Sequence, residues 1–99
     1  MRLLTLSLLA FLFARAAYAD VPLAFEGRWD CQVATFTFTA QTYDTGSDVM
    51  PINDIAIDGS GYVLSFDNNY QLFVALNDNG TLYWFSPASG DSFTCARLE

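Results

Sequence analysis

The chain contains no histidine and no lysine. The first absence excludes a Ser-His-Asp triad and histidine-ligated zinc, and the second excludes a P-loop and Schiff-base chemistry. Basic residues are scarce altogether: four arginines stand against eleven carboxylates, for a formal net charge of −7. Nucleic-acid phosphates require a basic face, so nucleic-acid binding is not expected. Cysteine is limited to Cys31 and Cys95. A long apolar run is missing too. The stretch 3–13 is interrupted by Thr5 and Ser7, and at about eleven residues it falls short of the roughly twenty that span a bilayer.

What that stretch does fit is an export signal. Arg2 supplies a positive start, 3–13 an apolar centre, and Ala17-Tyr18-Ala19 a small-x-small cleavage site before Asp20. The expected division is a signal peptide over 1–19 and one domain over 20–99, destined for secretion or the periplasm. Cleavage removes two arginines and no carboxylate. Only Arg28 and Arg97 then face eleven acids, a net charge of −9 on 80 residues. So short a chain buries about 60% of its surface and needs a covalent staple. In an oxidising compartment, Cys31 and Cys95 are the candidates for that disulfide.

Along the domain, β-type runs alternate with turn residues. The runs are 28–40, 52–57, 62–66, 70–76, 81–85 and 92–98. A loose polar stretch surrounds 44–48, and 20–26 reads as an extended lead-in in which Pro22 bars a ladder position. The turns test the register. Asp58-Gly59-Ser60-Gly61 sets Ile57 opposite Tyr62, and Asp67-Asn68-Asn69 sets Leu64 opposite Leu72. Asp78-Asn79-Gly80 sets Leu76 opposite Leu82 and Val74 opposite Trp84, with a two-residue Asn79-Gly80 turn as the competing choice. With the three-residue loops, one apolar face runs unbroken across four strands.

A disulfide between Cys31 and Cys95 on adjacent antiparallel strands places Trp29 opposite Arg97 and Val33 opposite Phe93. An even number of meandering strands makes the first and last antiparallel. The expectation is therefore an all-β fold: a six-stranded antiparallel meander forming a small closed or nearly closed barrel. One end-to-end disulfide holds it, and Arg97 lies on Trp29 at the closure.

Gly27-Arg28-Trp29, with Arg97 in the last strand, resembles the Gly-x-Trp and closing arginine of lipocalin-like barrels. That resemblance implies an arginine packed on a tryptophan at one barrel end, although this chain is half the usual lipocalin length and lacks a clear eight-strand count. Ser89-Gly90-Asp91-Ser92-Phe93 is similar to the Ser-Gly-x-x-Tyr loop of the bacterial C-type lysozyme inhibitor family, with phenylalanine replacing tyrosine. Those proteins are small exported barrels with an N- to C-terminal disulfide. Their second motif includes a lysine, which this chain lacks. The resemblance implies a partner-binding role for Ser89 and Gly90, to which Asp91 adds a carboxylate.

Other constellations have simpler accounts. Asp and Asn cluster at 53–54, 58, 67–69 and 77–79 without the spacing of a calcium loop, and turns require those residue types. No metal or other cofactor is expected. A carboxylate pair for glycoside hydrolysis would need a deep cleft that so small a core leaves no room for, so no catalytic residues are assigned and no enzyme activity is expected. Asn79-Gly80-Thr81 matches a glycosylation acceptor, and a tight hairpin accounts for it as well. If Tyr62, Leu64, Leu72, Val74 and Trp84 face inward, then Phe73, Tyr83 and Phe85 face outward. These three form either an exposed aromatic binding patch or a face covered by a second layer or by the 40–51 segment. Phe36 and Phe38 fall off the face of Cys31 unless a bulge near Ala34-Thr35 changes the side.

The functional expectation is an exported, non-enzymatic acidic binding module. Its charge suits a cationic partner protein, such as a C-type lysozyme that it inhibits through Ser89, Gly90 and Asp91. The alternatives are a binder of small apolar ligands of lipocalin-like type and a structural, envelope-associated domain.

Overall fold

The computed structural model describes residues 23–98. The expected export segment and Pro22 lie outside the described residues. Nine strands form among the described residues: β1 (Gly27–Asp30), β2 (Thr35–Phe38), β3 (Thr42–Asp44), β4 (Val49–Pro51), β5 (Asp54–Asp58), β6 (Gly61–Ser65), β7 (Gln71–Leu76), β8 (Leu82–Phe85) and β9 (Ser92–Leu98). They make one antiparallel sheet in the order β4-β3-β2-β1-β9-β8-β7-β6-β5. It is curled into an open half-barrel. No described helix is long and apolar enough to cross a membrane.

The six-strand, closed-barrel expectation is corrected in two ways. First, the run 28–40 is not one strand. Gln32 takes a positive φ of 74°, its N–H is accepted by Asp30 Oδ1 at 2.9 Å, and Cys31 N–H donates to Ala34 O at 3.0 Å. This turn folds the run into the hairpin β1–β2 and brings Phe36 and Phe38 into the core, 6% and 1% exposed. It also removes Val33 from Phe93. Val33 is 66% exposed, and Phe93 pairs with Trp84 instead. Second, the polar stretch 44–48 is the turn of a hairpin, β3–β4. Thr45 Oγ1 accepts from Asp48 N–H and Asp44 Oδ1 from Gly46 N–H. Short side-chain-capped turns of this kind leave three-residue strands that carry little periodic signal.

The barrel stays open because β4 and β5 are the two sheet edges and no ladder joins them. They are consecutive in the chain and run in the same direction, bent at Ile52-Asn53. Ile52 N–H bonds Gln41 O on one side and Asn53 N–H bonds Ser65 O on the other. Because β4 and β5 count as one directional segment, the nine strands still leave β1 and β9 antiparallel, as the even-number argument required.

From β5 to β8 the expected registers hold: Ile57↔Tyr62, Leu64↔Leu72, Val74↔Trp84 and Leu76↔Leu82. Asp58 and Gly61 pair as well, so the β5–β6 loop is Gly59-Ser60 alone. The three-residue turn at 78–80 prevails over the two-residue one. Asn77 N–H bonds Thr81 O, and Asn79 Oδ1 caps the Thr81 backbone and hydroxyl. The inner face of β6 to β9 supplies Leu64, Leu72, Val74, Leu82 and Cys95 to the core.

The end-to-end closure also holds. Cys31 and Cys95 form a disulfide and Trp29 pairs with Arg97. The Arg97 guanidinium lies 4.1 Å from the Trp29 ring centre and donates to Glu26 O and Ala24 O at 3.0 and 3.2 Å. Gly27 has φ 124°, and a Cβ there would lie 2.7 Å from Arg97 Nη1, so only glycine leaves room for the guanidinium. The described part of the lead-in, 23–26, is a turn rather than an extended arm: Glu26 N–H bonds Leu23 O and Glu26 Oε2 accepts from Leu23 N–H. This turn inserts Phe25 into the barrel end, where its carbonyl accepts from Trp29 Nε1 at 2.9 Å. Its ring packs edge-on against Tyr62 and Phe38.

Candidate functional site

Alternation of strand direction places four turns at the other end of the half-barrel. They are 31–34 (β1–β2), 45–48 (β3–β4), 67–69 (β6–β7) and 86–91 (β8–β9). The candidate partner-binding residues Ser89, Gly90 and Asp91 sit in the last of these and are exposed. The loop is tethered across its base, with Ser86 N–H donating to Asp91 O at 2.9 Å and Gly90 N–H to Ser86 O at 2.8 Å. Gly90, at φ 79°, takes the left-handed position that closes this turn. Ser89 Oγ accepts from Asp91 N–H at 3.3 Å. Backbone and hydroxyl groups thus hold Ser89 and Asp91 next to each other on a short, constrained loop.

Its surroundings are acidic. Among the described residues, the turns and strand ends here carry Asp30, Asp44, Asp48, Asp54, Asp67 and Asp91 and no arginine. Both described arginines, Arg28 and Arg97, belong to the opposite end, with Glu26, Asp58 and Asp78. The charge of the domain is therefore strongly polarised toward the loop end. Several of these carboxylates also do local work. Asp30 and Asp44 cap turns, and Asp67 accepts from Asn53 Nδ2 at 2.8 Å. No group of three potential metal ligands converges among the described residues.

Below the loops lies a polar cluster that sequence reasoning missed. Ser86 is 2% exposed and its hydroxyl is 3.2 Å from that of Tyr70. Tyr43 is buried against Phe36, Phe38 and Phe66. Burial raises its phenol well above the ordinary tyrosine range, and the Tyr70 phenol adds to the rise. The Trp84 indole opposes it. That N–H is buried and has no partner with full hydrogen-bond geometry, so the phenol is its nearest polar outlet and the contact is a weak one. The signal available in the sequence was the alternation Leu82, Trp84, Ser86, which turns a serine inward just where β8 ends. Beside this cluster, residues 48–51 and 66–68 line an open cleft of about 370 Å³, with Phe66 and Met50 among its apolar walls and Asp48 and Asp67 among its polar ones.

Phe73, Tyr83 and Phe85 do face outward, and each is half-buried. Phe73 pairs with Phe85, packs edge-on to Tyr83 at 6.2 Å, and lies over Gly61, where a Cβ would meet its ring at 2.5 Å. The segment 40–51 does not cover them, because it extends the sheet beyond β2. The structure thus brings Phe73 next to Tyr83 and opposite Phe85 on the outer face, each only part-exposed. They are not joined to Ser89, Gly90 and Asp91. No known protein family, curated protein or solved structure matches the chain.

Proposed function

We propose that the protein is an exported, non-enzymatic module that binds a cationic protein through its loop end, and that it acts as an inhibitor of a basic enzyme such as a C-type lysozyme. The polarised charge carries this reading: the end of the half-barrel that bears the tethered loop 86–91 holds six carboxylates, Asp91 of the loop among them, and no arginine among the described residues. A field of one sign steers an oppositely charged partner and raises its association rate. The constrained loop then presents Ser89 and Asp91 without a large ordering cost on binding. The disulfide fits a protein that leaves the reducing cytosol. A filled interior, with Trp29, Leu64, Leu72, Val74 and Leu82 fully buried, weighs against the alternative of an apolar ligand held inside the barrel.

The test is a lysozyme turnover assay with the protein as inhibitor. Inhibition at micromolar protein is expected, falling at least tenfold in Ser89→Ala/Asp91→Ala and weakening as salt rises. Absence of inhibition at that concentration removes lysozyme as the partner. Inhibition that ignores both substitutions moves the contact away from this loop.

A further inference from the structure

Among the described residues, the outer edge of β5 has no hydrogen-bonded neighbour. β5 pairs only with β6 in the sheet, and four of its five residues are exposed. Ile57 lies on the inner face of the sheet, opposite Tyr62, yet is 80% exposed. A core-facing isoleucine left open to water marks a place where the sheet stops one strand short.

The register says which groups are free. The two-residue loop Gly59-Ser60 makes Asp58 and Gly61 a hydrogen-bonded pair. Pairs alternate along an antiparallel ladder, so Ile55 and Ile57 direct their backbone N–H and C=O groups away from β6, toward the open edge. Natural sheets protect such an edge with charge. Here the protection has one sign only, with Asp54 at the start of β5 and Asp58 at its end and no basic residue on β5 or β6.

That pattern selects between occupants. A second copy that uses the free groups of both isoleucines in an antiparallel pair sets Ile55 opposite Ile57 of its twin, which places Asp54 against Asp58 at both ends of the contact. Like charges directly opposite one another destabilise a pair of strands. A strand with basic residues at those two positions gains at the same places where a copy loses. We propose that the β5 edge accepts an extended cationic peptide segment as an added strand. The segment has the form basic-apolar-any-apolar-basic. Its basic residues face Asp58 and Asp54, its apolar residues flank Ile57 and Ile55, and its backbone bonds to those two isoleucines. Asp54 belongs to the loop end as well, but the free backbone groups of β5 are not part of loop 86–91, and the proposal does not depend on the function proposed for that loop.

A synthetic ten-residue peptide containing Arg-Val-Thr-Val-Arg tests the proposal against a scrambled peptide with adjacent arginines and a version N-methylated at both valines. Binding is read by titration and by amide hydrogen exchange. The expected result is at least tenfold slower exchange at Ile55 and Ile57, with at least tenfold weaker binding of both control peptides. Asp54→Asn/Asp58→Asn should weaken the parent peptide about tenfold at low ionic strength and much less in half-molar salt. Ser89→Ala/Asp91→Ala should bind the peptide as the unsubstituted protein does. Equal affinity for the N-methylated peptide, protection confined to other strands, no binding at millimolar peptide, or self-association through this edge without peptide would each overturn it.

Discussion

The two ends of this half-barrel are built on different rules. At one end, residues from both termini of the domain interlock. Phe25 plugs the opening, Trp29 bonds the Phe25 carbonyl, and Arg97 lies on Trp29 while its guanidinium holds two backbone carbonyls. At the other end, four turns stand over a cluster of hydroxyls, one buried indole N–H has no partner with full hydrogen-bond geometry, and six carboxylates share that end with no arginine among the described residues. The first arrangement satisfies its polar groups and stabilises. The second leaves charge and hydrogen-bonding capacity unspent, which is what a recognition surface on a rigid scaffold requires.

This contrast can be broken in order of expected effect. Cys31→Ser/Cys95→Ser opens a loop of 64 residues and should lower stability by about 4 kcal/mol on the chain-entropy account, measured by urea unfolding. Arg97→Ala removes the cation–π contact at the closed end. It should destabilise by about 1 kcal/mol, since the guanidinium is in contact with water. Alkaline pH probes the interior near the loop end. The Tyr43 phenol is raised in the folded state, so its contribution is present below the ordinary tyrosine value of about 10 and is lost as pH climbs above it. Absorbance titration of the folded protein should show one tyrosine withheld from ionisation near that pH. Tyr43→Phe should remove the withheld group and reduce the alkaline loss of stability. Ser89→Ala/Asp91→Ala should shift the unfolding midpoint by less than about 0.5 kcal/mol, the range of an exposed surface change, while abolishing partner binding. A large stability loss from that last pair would collapse the distinction between the two ends.

Legibility followed the same divide. The strands from β5 onward were readable because their turns carry Asn, Asp and Gly at spacings that fix register, and a wrong register would turn Leu64, Leu72 and Val74 to solvent. The Trp29–Arg97 pairing was readable because a disulfide sets a register across 64 residues. The first half of the domain was harder. Gln32 is not a typical residue for a positive φ, and the run 28–40 has enough β-forming residues to hide a turn inside it. Strands of three residues, such as β3 and β4, show too little alternation to be distinguished from loop. At the candidate site, Ser89, Gly90 and Asp91 were visible as a loop. The cluster of Ser86, Tyr70, Tyr43 and Trp84 was not, since its members come from β3, from β8 and the residue after it, and from the residue before β7.

By itself, the sequence determined the chemistry that is excluded, the excess of acid, the all-β pattern and the disulfide. Those follow from residue types and from period-two alternation, which act locally or through a single covalent bond. Only the tertiary structure decided the strand number, the open seam between β4 and β5, and the sorting of carboxylates to one end. Those depend on where the chain reverses and which edges meet, and burial of side chains distant in sequence sets that outcome rather than any local propensity.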